Sequence, residues 1–125
     1  PDHWLTIDAL AMAVGLSPQQ CAWVADPYTA LNEVMGEAAE RRSTVRAAME
    51  ERLAGRSPQE LNAEERAAML ADADRSRAAL ARYQADVERW YEVIRSMLTT
   101  AQREKFDALP RPVVLSVRRA APPVP

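Results

Sequence analysis

Residues 62–97 read NAEERAAMLADADRSRAALARYQADVERWYEVIRSM, and the spacing of their larger apolar side chains decides the fold. Met69, Ala73, Ser76, Leu80, Tyr83, Val87, Trp90, Ile94 and Met97 recur at alternating steps of four and three. That spacing lays one stripe of a helix along another helix. Asn62 with Glu65 forms a capping box at the start, so the spacing predicts a helix from Asn62 toward Met97, about 54 Å long at 1.5 Å per residue. Upstream, Tyr28, Leu31, Met35, Ala38, Val45 and Met49 follow the same steps, with Arg42 in one slot of the series, and the pattern stops near Ala54-Gly55. Two long helices joined by the short loop Arg56-Ser57-Pro58 must lie antiparallel. Such a hairpin buries only one stripe per helix, and its thin core is expected to seek a second copy. The expected fold is therefore all-α: a long antiparallel helical hairpin with short terminal helices, homodimeric.

The flanks add helix starts and stops. A short helix is expected over residues 5–14, stopped by Gly15, and another over 99–108. Pro27 falls inside the first long helix, where its ring removes a backbone bond, so a kink or a restart capped by Asp26 is expected there. Trp90 reads as core, Tyr91 as a surface aromatic among arginines, and Trp4 and Trp23 as pins holding the N-terminal elements to the hairpin. The five methionines, Met12, Met35, Met49, Met69 and Met97, read as core filling.

Two stretches share one pattern: Leu16-Ser17-Pro18-Gln19-Gln20 and Leu98-Thr99-Thr100-Ala101-Gln102, with the hydroxyl residues 82 positions apart (99 minus 17). Each is a helix start in which Ser17 or Thr99 accepts from the backbone N–H three residues on while Gln20 or Gln102 reaches back. Pro18 suits the first helical position, where no N–H is needed. Ser57-Pro58-Gln59-Glu60 and Asn62-Ala63-Glu64-Glu65 obey the same capping logic, so what distinguishes the first pair is the flanking Leu and Gln.

Together with Arg103-Glu104-Lys105-Phe106-Asp107-Ala108-Leu109, the second copy resembles the second motif of the LTxxQ family of bacterial periplasmic proteins, the group of Spy-like chaperones, CpxP-like stress regulators and metal-responsive sensors. Ser17 replaces the family's Thr, and Cys21 and Trp23 stand where charge is more usual. The resemblance covers roughly residues 10–109, and residues 1–109 are expected to form one helical-hairpin domain, while the prolines beyond Leu109 predict a Pro-rich extended tail, residues 110–125. The resemblance implies a periplasmic, ATP-independent chaperone or envelope-stress adaptor that binds unfolded or partly folded polypeptides or a signalling protein. The alternatives are a periplasmic sensory domain answering to metal or stress, and a non-catalytic dimerisation module.

Composition agrees with a helical, soluble globular class. The 125 residues carry 27% charged and 48% hydrophobic side chains, with only three glycines to interrupt helices. A net charge of −2 gives no electrostatic reason to expect nucleic acid, and no segment reads as a membrane insertion. One cysteine, Cys21, and one histidine, His3, leave no disulfide, no soft-ligand metal site and no Cys-His pair for nucleophilic catalysis. No cofactor, no metal and no catalytic residue is expected. The opening Pro1-Asp2-His3, without Met or an apolar leader, reads as a mature or trimmed fragment.

Arginine outnumbers lysine fifteen to one. Arg42, Arg46, Arg82 and Arg89 are the expected client contacts, offering a basic and apolar surface to acidic segments. Leu16, Ser17, Gln20, Leu98, Thr99 and Gln102 are expected to hold the helix ends together. Beyond Leu109, Val113–Val117 is compatible with a strand and Pro122–Pro125 with an open tail.

Overall fold

The computed structural model describes residues 3–114. Four α-helices follow one another: α1 (Ile7–Val14), α2 (Pro18–Leu53), α3 (Ala63–Ser96) and α4 (Thr100–Asp107), with a single 3-10 turn, Pro58–Glu60, between α2 and α3. No strand occurs among the described residues. The Val113–Val117 strand expectation lies partly, and the Pro122–Pro125 tail wholly, outside them.

Every start is capped as its sequence dictates. Thr6 accepts from the Ala9 N–H, and Ser17, Asn62 and Thr99 each form a complete capping box with Gln20, Glu65 and Gln102. Each such cap is worth about 1 kcal/mol. The stops follow equally simple chemistry. Gly15 takes the left-handed conformation (φ 78°) after α1, and Ala54 (φ 50°) followed by Gly55 (φ 82°) ends α2 and turns the chain. Ala54 carries the strain of a left-handed non-glycine residue; Gly55 carries none.

The two long helices run antiparallel. Arg52 pairs with Asp72 near the turn, Met49 and Ser76 share a groove wall, and Arg41 and Tyr83 do so further along: as numbers fall in α2 they rise in α3. The core gathers at the opposite end, where α1 and α4 close over the hairpin. Leu10, Val14, Val24, Leu31, Met35, Val87, Ile94 and Phe106 bury there with Trp4 and Tyr91. Toward the turn, by contrast, Val45, Met49 and Met69 are only half-buried and Leu70 is 65% exposed.

Four expectations need correction. Helix α2 continues through Pro27 without a restart at Asp26. Pro27 itself is buried, and burial of its apolar ring offsets the one backbone bond that Trp23 C=O loses. Trp90 is half-buried whereas Tyr91 is 1% exposed, because Trp4 and Phe106 arrive from other elements to cover the Tyr91 side of α3. Trp4 does pin the N-terminus, donating Nε1–H to the Pro110 carbonyl at 2.9 Å, but Trp23 stands 52% exposed and is no buried anchor. Of the methionines only Met35 is buried, and Met12 is 86% exposed on the outer face of α1.

The segment after α4 is extended, as the prolines require, yet it is not a free tail over its described length. Pro112 is buried, the Arg111 guanidinium lies 4.3 Å from the Tyr91 ring centroid, and the Val114 N–H donates to Gln84 Oε1 at 2.7 Å. Residues 110–114 therefore form a strap along α3.

Candidate functional site

At the base of the hairpin the two repeated motifs meet. Gln20 donates through Nε2 to Gln102 Oε1 at 2.7 Å, and Gln102 donates through Nε2 to Gln20 Oε1 at 2.9 Å. Each amide oxygen also accepts the N-cap N–H of its own box, from Ser17 and Thr99, both at 3.0 Å. Gln102 spends its second amide hydrogen on the Gly15 carbonyl at 2.9 Å. Gln102 thus uses both donors and both lone pairs, the full capacity of a primary amide. Leu98 is buried and Leu16 half-buried beneath this junction, beside Leu10, Val14, Ile94 and Phe106. The six residues Leu16, Ser17, Gln20, Leu98, Thr99 and Gln102 are brought together as one junction between the starts of α2 and α4.

A second tie joins α3 to α4. Arg95 donates Nε–H and an Nη–H to the two carboxylate oxygens of Asp107, both at 2.8 Å, in bidentate geometry. The guanidinium hydrogen bonds hold the Asp107 carboxyl below the usual carboxylate range and push Arg95 further up. Near the turn, the Asn62 backbone N–H first and then Arg56 lower Glu65 in the same way. Both carboxyls have depressed folded-state pKa values, so their contribution is fully present above the unfolded carboxylate range, about pH 4, and disappears as pH falls through the folded values. Acidification from roughly pH 5 toward pH 2 is expected to loosen the α4 end, read by Trp4 fluorescence because Trp4 packs edge-on against Phe106. Asp107→Asn at neutral pH should reproduce that loosening. An acid transition unchanged in this variant would exclude the pair as its origin.

The third feature is a groove between α2 and α3 in the uncovered half of the hairpin. Toward the turn it has a volume of about 270 Å3, with Val45, Ala48 and Met49 on its apolar side and Thr44, Ser76, Arg41, Arg52 and Arg75 as polar and cationic lining. Arg41, Thr44 and Val45 continue it into a wider stretch of about 450 Å3 beside Glu37, Glu40 and Tyr83. Asp72 takes both Arg52, at 2.6 Å, and Arg75. Arg41 has no ion-pair partner among the described residues. Two cations thus share one carboxylate beside a third that is uncommitted, leaving the turn-side stretch net positive over an apolar floor, while Glu37 and Glu40 offset Arg41 in the wider stretch.

The four arginines expected as client contacts are not assembled. Arg46 and Arg82 are exposed, Arg89 is tied to Asp86 at 2.8 Å, Arg42 is half-buried, and none of them lines the groove. Arg41, Arg52 and Arg75, which belong to the same run of helix arginines but were not among the four expected contacts, line it instead. For Arg52 and Arg75 the signal was pairing, since Arg52 sits across the turn from Asp72 and Arg75 three residues after it, whereas Arg41 carried none. No group of three or more His, Cys, Asp or Glu suited to a metal ion occurs among the described residues, and none of their helices is long and apolar enough to cross a membrane. Cys21 is half-buried in the first turn of α2.

Comparison of the chain with models of known families, with curated proteins and with solved structures finds no match in any of the three.

Proposed function

We propose that the chain is a non-catalytic, polypeptide-binding helical hairpin of the LTxxQ kind, acting without ATP as a chaperone or envelope-stress adaptor. The observation that carries this reading is the α2–α3 groove, where Arg41, Arg52 and Arg75 border Val45, Ala48 and Met49. Acidic segments are drawn by the cationic rim, and the apolar floor then covers their hydrophobic side chains. The groove is shallow and solvent-lined, which suits weak, reversible capture. The Gln20–Gln102 junction supports the same reading, because it joins the two motifs on which the family resemblance rests. That resemblance also supports a periplasmic location. Among the described residues no third α-helix covers the turn half of the hairpin, which supports a second copy as one partner.

Substoichiometric to equimolar protein is expected to slow aggregation of a denatured substrate, with early capture weakened by salt. Arg41→Glu combined with Arg75→Glu should reduce the capture rate by roughly tenfold at low salt while helicity stays unchanged. Aggregation that proceeds identically at every ratio would end the chaperone reading, and a solution mass of one chain at all concentrations would end the dimer.

A further inference from the structure

A separate pocket lies at the turn itself. Met49, Leu61, Met69, Leu70 and Ala73 wall a cavity of about 310 Å3 beside the Pro58 turn, and among the described residues Arg66 is its only charged lining. It shares Met49 alone with the groove above. Neighbouring cations are committed: Arg52 and Arg75 to Asp72, and Arg56 to Glu65 at 3.0 Å. Arg66 is exposed and has no ion-pair partner among the described residues. Leu70 stands 65% exposed at the same mouth.

An apolar cavity with one uncommitted cation at its mouth matches a molecule with an apolar body and one anionic end. We propose that this pocket binds a medium-chain alkyl carboxylate, the chain lying among Met49, Met69 and Leu70 and the carboxylate meeting Arg66. The volume stands near the bottom of the usual range for small-molecule sites, about 300–1,000 Å3, which favours a short chain over a long one. Two methionines suit such a ligand, because their unbranched side chains re-pack around alkyl groups of differing length. The planar guanidinium suits the head, since it takes a carboxylate through two parallel hydrogen bonds.

Decanoate, added to the full chain below its micelle concentration, tests this through the ε-methyl NMR signals of the methionines. The Met49 and Met69 signals are expected to shift and saturate together, with Met12 as an internal reference that does not follow them. Decanol and decylammonium, with the same chain and a different head, should bind at least about tenfold more weakly, as should decanoate to Arg66→Gln. Leu70→Ser should weaken decanoate and decanol alike. Arg66 and Leu70 are both exposed, so these variants keep the fold, which helicity verifies. Shifts that never saturate, decylammonium binding equal to decanoate, or an Arg66→Gln variant with unchanged affinity would each overturn the proposal. So would a doubling of solution mass abolished by Leu70→Ser in a protein whose methionine signals ignore decanoate, because the pocket would then belong to a second copy.

Discussion

Phe106→Ala is expected to destabilise the protein by about 3–5 kcal/mol, the range for removing a large aromatic from a packed interior. Phe106 is fully buried, stacks on Tyr91 with ring centroids 4.6 Å apart and meets the edge of Trp4 at 5.7 Å. The upper part of the range applies because the surrounding side chains come from separate segments: Leu10 and Val14 from α1, Ile94 from α3, and Leu98 from the link before α4. Collapse into the space would require all of them to move together. For a chain of this size the melting temperature should fall by roughly 10–20 °C, read by far-UV circular dichroism. Tyr91→Phe supplies the contrast. The Tyr91 hydroxyl is buried without a hydrogen-bond partner among the described residues, and burial pushes its pKa up. Deleting an unpaired buried hydroxyl is nearly neutral or stabilising. A Tyr91→Phe loss comparable to that of Phe106→Ala would mean that the hydroxyl has a partner and that its orphan status is wrong.

The same aromatic cluster marks where sequence reasoning runs out. Caps were legible because each is settled within four residues: Ser17 with Gln20, Asn62 with Glu65 and Thr99 with Gln102 need no partner from elsewhere. The hairpin was legible for a related reason, since a stripe of period between three and four on two helices joined by a short link leaves one arrangement. From Val87 onward, however, both Trp90 and Tyr91 satisfy the spacing, one at a step of three and the other at four. Periodicity cannot choose between them. Trp4 and Phe106, 87 and 15 positions away from Tyr91 (91 minus 4; 106 minus 91), make the choice by packing on the Tyr91 side. Pro27 shows the opposite imbalance, where a local rule was clear and tertiary burial outweighed it. Which arginines would line the groove was not legible, because the choice depends on the facing helix. Arg41 and Arg42 are adjacent in sequence but about 100° apart around the helix, so one lines the groove while its neighbour does not.

Gln102→Glu gives the second large effect, and it separates a junction from a pair of ordinary caps. A glutamate at this position still accepts the Thr99 N–H, and its charge is favoured at the start of a helix, so the capping box alone predicts no loss or a slight gain. What it lacks is the amide NH2. The Gly15 carbonyl and Gln20 Oε1 would each lose a donor, and Gln20 Nε2 would be the only donor left across the junction. Losing these two hydrogen bonds, one exposed and one part-buried, is expected to cost about 1–3 kcal/mol together, at the usual 0.5–1.5 kcal/mol each. Gln20→Glu should cost less, because among the described residues the Gln20 amide donates only to Gln102, whereas Gln102 also holds Gly15. A double-mutant cycle with Gln20→Ala and Gln102→Ala, followed by urea denaturation, should return a coupling of about 0.5–3 kcal/mol, the range for residues in one hydrogen-bond network. The coupling matters because the two glutamines tie the starts of α2 and α4 together, and α4 has only eight residues to hold itself, too few for an isolated helix to persist in water. Strictly additive losses, or a stabilised Gln102→Glu variant, would reduce the junction to two independent helix starts that happen to be neighbours.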